Sequence, residues 1–260
     1  MSVITSDFNE INWYAGRASA AYQSANEIQQ KYPNTVHISY LESIDVQYFL
    51  ETFTLEKVQV VSVRGTANLR NVEEDSEYLQ SKNPNLNIYV HKGFDSDASV
   101  VYADLKPRLI ADYQIKLTGH SLGAAISTIL MMYLHEDGFS VNRSINFGQP
   151  KVTNSHGVEK YGFLPLTRVA DDNDVIPLVP PITLLDSIHG CYEHFGDEVI
   201  LLADKGYIYL AQHDATRRSI GEFWRRLGHE SVEDHFMTNY LKSIGSKLLE
   251  AVSMPYDAYK

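Results

Sequence analysis

One cysteine, Cys191, stands in a chain of 260 residues. No internal disulfide and no multi-cysteine metal site can be built from it, and a small disulfide-stapled scaffold is excluded. The thiol is expected to be a small buried hydrophobe. Long apolar runs are also missing. A membrane-spanning helix takes ~20 apolar residues, whereas the longest run here is six, Ile129 to Leu134. Met1–Asp7 shows neither a basic nor an apolar signal region, so no signal peptide is read. The compartment stays open between cytoplasm and export. A basic stripe is lacking too: 22 Lys and Arg face 33 Asp and Glu, for a net charge of −11. The densest basic spots are Arg217-Arg218 and Arg225-Arg226. Nucleic acid and anionic membrane surfaces are therefore disfavoured as partners. Linkers, repeats and low-complexity stretches are absent, so residues 1–260 are expected to form a single domain.

What is present is ordinary globular sequence, 44% apolar and 21% charged, which excludes disorder, collagen and coiled coil. Ile11, Tyr14, Ala15, Ala18, Ala21, Tyr22, Ala25 and Ile28 repeat at helical spacing and predict one amphipathic helix over residues 8–30. Residues 35–41 and 44–53 read as a strand hairpin. Val58–Val63 is a near-continuous apolar strand of the kind buried on both faces. Short strands are expected at 87–90, 114–117, 144–147 and 164–170. A helix interrupted at Pro107 is expected over 100–113. Leu122–Leu134 is apolar on nearly all faces, as a buried helix is. A hairpin follows at 198–202 and 207–210, and a last helix at about 233–249. Strands alternating with helices predict a mostly parallel sheet covered on both faces, with antiparallel strands at its edges.

The informative segment is Gly119-His120-Ser121-Leu122-Gly123. It fits G-x-S-x-G, a sharp turn from strand to helix that lifts the serine hydroxyl clear of a sheet. The Leu122 amide, at the helix start, points where an oxyanion would form. A nucleophilic serine needs a base, and the base an orienting acid. In this order of elements the acid comes next and the histidine last. Asp171, Asp172 and Asp174 all lie where a strand gives way to a loop, and position does not separate them. Histidines 156, 189, 194, 213, 229 and 235 remain as bases. A second oxyanion donor should follow an early strand, and Thr66 after Val63-Arg64-Gly65 is the candidate.

Taken together the segments resemble the class 3 lipases, the filamentous-fungal lipase-like α/β-hydrolases, whose relatives include feruloyl esterases. The matching pieces are Val63–Thr66, Val90–Phe94, Thr118–Ala124, Asn146–Pro150 and Arg168–Pro180, in the family's order, within about residues 15–245. The resemblance implies the α/β-hydrolase fold, with a mostly parallel central sheet, antiparallel edge strands and a short lid after the oxyanion strand. It implies Ser121 as nucleophile, Asp174 as acid and His235 as base, with Thr66 and Leu122 as the oxyanion pair. His194 would be structural. Residues 67–79 would be the lid, with Ala67, Leu69, Val72 and Leu79 among them. Two departures stand out. Secreted fungal members carry disulfides, which points this chain towards a bacterial or intracellular branch. Val72 stands where the family often has Trp, and Glu73-Glu74-Asp75 follow, which ill suits a lid that buries itself in oil.

The expected activity is carboxylic-ester hydrolysis through an acyl-enzyme, on acylglycerols or similar lipid esters, with no metal, no cofactor and at most transient contact with a lipid interface. A soluble-ester hydrolase of feruloyl-esterase type is the rival within the class. A catalytically dead relative that binds lipids or a partner is the rival outside it.

Overall fold

The structure, a computed structural model, describes residues 6–65, 79–180, 190–215 and 233–258. Its centre is a nine-stranded sheet in the order β1-β2-β3-β6-β7-β9-β11-β12-β13. The strands are β1 Thr35–Leu41, β2 Val46–Phe53, β3 Val58–Val63, β6 Gln114–His120, β7 Ser140–Phe147, β9 Leu166–Asp171, β11 Asp197–Leu201, β12 Gly206–Leu210 and β13 Val252–Ser253. From β3 to β11 all neighbours run parallel. β1–β2–β3 at one margin and β11–β12 at the other are antiparallel. This is the α/β-hydrolase arrangement read from the sequence.

Helices cover both faces. On one, α3 (Lys92–Leu105) and α4 (Leu122–Glu136) pack on Val61, Val63, Ile115 and Leu117. On the other, α1 (Phe8–Ala20) and α6 (Met237–Lys247) pack on Ile145, Phe147, Val169 and Val199. The pleat sends alternate residues of each strand to opposite faces. Gly119 and Asn146 thus face α4, while His120 and Phe147 face α1. Residues 123 to 134 of α4 are all buried, so this helix sits in the core.

Several boundaries differ from the sequence expectation. The stripe over 8–30 forms two helices, α1 and α2 (Ala25–Lys31). Ser24 caps α2 and Glu27 returns the bond to the Ser24 amide, a reciprocal cap that starts a new helix. The helix expected at 100–113 begins at Lys92 and stops before Pro107. Its cap is His91, whose Nδ1 accepts from the Phe94 amide at 3.3 Å. A second, four-stranded sheet was not foreseen. It joins β10 (Tyr192–Glu193), β8 (Thr153–Asn154), β5 (Ile88–His91) and β4 (Gln80–Asn83), with the short α5 (Ser155–Tyr161) following β8. β8 follows β7 closely, so this sheet borders the carboxyl ends of the parallel strands, where sites of such folds lie. Cys191, just ahead of β10, is half-buried rather than fully buried.

Candidate active site

The elbow is built by backbone. β6 runs through His120, and α4 begins at Leu122. Ser121 between them has φ 56° and ψ −126°, a conformation costing on the order of 1–3 kcal/mol that persists only where the surroundings enforce it. They do so here. The Ser121 amide donates to the Phe147 carbonyl at 3.0 Å, and its carbonyl accepts from the Ala124 and Ala125 amides. A Cβ on Gly119 would lie 2.2 Å from the Gly123 carbonyl oxygen, and one on Gly123 2.4 Å from that of Val63. Glycine at both places lets α4 start against the end of β3. The Leu122 amide is the first of α4, a position with no acceptor inside the helix.

The structure separates the three aspartates. Asp174 Oδ2 accepts from His235 Nδ1 at 2.7 Å, and Oδ1 accepts from the Ile176 amide at 2.9 Å. The Tyr240 hydroxyl also donates to Asp174 Oδ2. Burial by itself would raise this carboxyl. His235 beside it, with the three hydrogen bonds, holds it below the ordinary value instead. Asp171 does the opposite: burial, helped by Asp174, Asp234 and Asp172, pushes it up to about 6 against the Asn173 amide. Asp171 and Asp172 line a cavity of about 430 Å³ together with Asp204, Asp234 and Lys242, and neither bonds a histidine among the described residues.

His235 is fully buried and closes a single turn, Glu233–His235, before α6. A carboxylate only accepts, so Nδ1 donates, and in the neutral ring Nε2 carries the lone pair. That Nε2 and the Ser121 Oγ are both buried and without a hydrogen-bond partner among the described residues. Ser121 and His235 both border Phe147-Gly148, the Ser121 amide through the Phe147 carbonyl and His235 through Gly148. Gly148 has φ +54°, and a Cβ there would fall 2.6 Å from His235 Cε1 and 3.0 Å from Asp174 Oδ2.

His120 closes the rear of the site. Its Nε2 donates to the His235 carbonyl at 2.7 Å, and its ring lies 4.6 Å from that of His235. Burial, reinforced by His235, pulls its pKa down to about 3. His120 is therefore neutral. With Nε2 donating, its Nδ1 accepts the Tyr22 hydroxyl at 2.8 Å.

The remaining expected residues fall elsewhere. His194 is buried, with Nε2 donating to the Pro177 carbonyl at 2.6 Å, and so braces the loop after Asp174. His156 and His213 are exposed. Leu79 sits at the margin of the small sheet, where its carbonyl accepts from the Lys92 amide. Thr66, Ala67, Leu69, Val72, His189 and His229 lie outside the described residues. Among the described residues no group of three or more His, Cys, Asp or Glu is placed to hold a metal, and no helix is long and apolar enough to cross a membrane. Sequence reasoning missed Tyr240 and Tyr22, which had no signal beyond an apolar-periodic position. In the sequence Gly148 stands out only as part of the matching segment Asn146–Pro150.

Residues 60–184 match the family described as lipase (class 3). Secreted mono- and diacylglycerol lipase 1 of Fusarium solani is 29% identical over 217 residues, covering 70% of this chain and 62% of that protein. A lipase of Rhizomucor miehei is 30% identical over 145 residues, 48% of this chain and 38% of that one. The chain thus spans less than two thirds of the length of either relative. Among solved structures, a lipase from Rhizopus microsporus var. chinensis superposes with a TM-score of 0.64 at 25% identity, over 75% of this chain and 74% of that one. Lipase II from Rhizopus niveus gives 0.68 at 22% identity over 88% and 92%, a likeness of fold. The matched segment runs from β3 through the elbow to Asp174 and beyond, and over it the chain is similar to the class 3 lipases.

Proposed function

We propose that the chain hydrolyses carboxylic esters, acylglycerols or similar lipid esters, with Ser121, His235 and Asp174 as a triad. The observation that carries this reading is the pair of buried atoms, Ser121 Oγ and His235 Nε2, without a hydrogen-bond partner among the described residues, beside a His235–Asp174 hydrogen bond. Apo sites often hold such bonds open until substrate binds. The Ser121 hydroxyl attacks the ester carbonyl while His235 Nε2 takes its proton. The oxyanion is received by the Leu122 amide and by Thr66. His235 then gives the proton to the departing alcohol. Water, deprotonated by the same nitrogen, cleaves the acyl-enzyme and releases the acid. Asp174 stays ionised, keeps the imidazole in the required tautomer and stabilises the imidazolium. Its depressed pKa supports that role. Every step uses groups of the chain and water. Residues 1–260 would act as one catalytic unit.

The relatives' names support acylglycerol substrates. The acidic run Glu73-Glu74-Asp75 favours a second reading, a hydrolase of dissolved esters. Burying a Leu or Val at an oil surface is worth ~1.5–3 kcal/mol. Taking an unpaired carboxylate from water costs several kcal/mol. A fluorophosphonate probe should label the protein at Ser121, located by mass spectrometry; a dead relative would stay unlabelled. Nitrophenyl esters of graded chain length, run beside a triglyceride emulsion and a feruloyl ester, separate the two readings. A jump in rate at the onset of emulsion identifies an interfacial lipase, and a smooth hyperbola a soluble-ester hydrolase.

A further inference from the structure

Tyr22 lies in the bend between α1 and α2, far from the motif in sequence. The residue is 36% exposed, yet its hydroxyl points inward to His120 Nδ1 at 2.8 Å. A tyrosine placed merely to fill the surface would turn its hydroxyl to water. This one abuts the elbow as well. A Cβ added at Gly65 would lie 2.5 Å from the Tyr22 hydroxyl, 2.5 Å from the His120 carbonyl oxygen and 3.1 Å from Ser121 Cβ. Gly65 is the last residue before Thr66, so one hydroxyl touches both the end of the oxyanion strand and the histidine behind the base.

We propose that Tyr22 is a positioning residue for ester hydrolysis, acting through His120 on the backbone, and so on the imidazole, of His235. The proposal rests on the triad reading above. His235 is held at two points, its side chain by Asp174 and its carbonyl by His120 Nε2. The second hold works only if His120 carries its proton on Nε2. A neutral imidazole chooses its tautomer by the partner of the other nitrogen. A donor at Nδ1 forces the proton to Nε2, and Tyr22 is that donor. Without it, Nδ1 is an unsatisfied buried acceptor, and the alternative tautomer sets a bare Nε2 against the His235 carbonyl. The His235 ring, its centroid 4.6 Å away and tilted by 31°, then loses its fixed backing. Such outer partners fix the orientation of the groups that do chemistry, as they do around metal-bound histidines.

The test compares Tyr22→Phe and Tyr22→Leu with the unaltered protein, using a soluble nitrophenyl ester and a fluorophosphonate. One hydrogen bond of this kind corresponds to a three- to tenfold change, roughly. Tyr22→Phe should lower kcat and the fluorophosphonate labelling rate by about that factor when assayed well below its melt, with KM within about twofold and a midpoint lowered by no more than one unsatisfied buried acceptor costs. Tyr22→Leu should show the same kcat loss with reduced stability. Unchanged kcat in Tyr22→Phe overturns the proposal. So does a loss confined to Tyr22→Leu, which would assign the role to the ring, or a kcat loss that disappears when the assay is run well below the variant's midpoint. Substantial turnover by Ser121→Ala would overturn the triad reading and this proposal with it. A dead Ser121→Ala beside an unchanged Tyr22→Phe would overturn the positioning role alone.

Discussion

The elbow at Ser121 and the arm carrying Asp174 and His235 both border Phe147-Gly148, but they are made of different material. The elbow spans five residues and is enforced by backbone: a positive φ, two glycines that admit close approach, and an amide bonded to the next strand. The arm is enforced by side chains over long separations. Asp174 and His235 are 61 residues apart, Asp174 and Tyr240 66, and His120 and the His235 carbonyl 115. Local geometry that only certain residues tolerate leaves a mark in a short motif. Contacts between distant side chains leave none. The elbow should accordingly fail by steric clash, and the arm by loss of single hydrogen bonds, in graded steps.

The largest effect tests the elbow. Ser121→Ala removes the attacking oxygen while preserving the turn, and should cut kcat by about 10⁶, as loss of the nucleophile does in serine proteases. Circular dichroism should be unchanged. Substantial turnover by a folded Ser121→Ala protein would sink the nucleophile assignment.

Next comes the arm, with two buried histidines set against each other. His235→Ala should lower kcat by on the order of 10³–10⁶ with little change in the melt. His194→Ala should leave kcat near normal but cost about 1–3 kcal/mol in a urea titration, because the Pro177 carbonyl loses its buried donor. Exchanged behaviours would mean that the wrong histidine has been named.

Gly148 is where elbow and arm touch. Gly148→Ala places a Cβ 2.6 Å from His235 Cε1 on a residue with φ +54°. The imidazole must shift, and displacements of about 1 Å in such sites can cost 10²-fold. A kcat unaffected by this change would show that the base tolerates movement and would weaken the contrast drawn here.

The mildest perturbation is Tyr240→Phe. Asp174 has a depressed pKa in the fold, so its contribution to stability is present above the unfolded value of about 4 and lost as pH falls through the folded one. Removing one donor raises the folded pKa. Acid unfolding should therefore begin at higher pH, and kcat at neutral pH should fall less than about tenfold. Melts across pH 3–6 provide the check, and an unshifted acid limb would count against Tyr240.

The sheet and the elbow were legible because their physics is local. Val58–Val63 reads as a strand covered on both sides and is one. Leu122–Leu134 reads as a buried helix and is one. Gln114–Leu117 came out short because Thr118 and His120 are polar, although both are buried here by hydrogen bonds to distant carbonyls. The break after α1 was hidden because Tyr22, Ala25 and Ile28 keep the helical rhythm across it. The start of α3 escaped because its cap is a histidine, outside the usual Ser, Thr, Asp and Asn. Of the small sheet only β5 had a signal, the strand expected at 87–90: β4 is Gln-Ser-Lys-Asn, and β8 and β10 have two residues each. Asp174 could be separated from its neighbours only by family resemblance, since its distinguishing contact lies far away in sequence.

The buried Lys247 ammonium donates to the Leu202 and Asp204 carbonyls at 2.9 and 2.8 Å. Lys151 does the same for the loop after Asp174, donating to the carbonyls of Leu178 and Pro180 at 2.8 and 3.1 Å. Lys151 directly precedes Val152 and β8, so this ammonium fastens the acid-bearing loop to the small sheet. The two should then come undone as one cooperative unit. In native-state hydrogen exchange, the amides of 152–154 and 174–179 should share one opening free energy. The small sheet would thereby act as a clasp, and the rate at which it springs open would set how long Asp174 keeps its place when the protein is warmed.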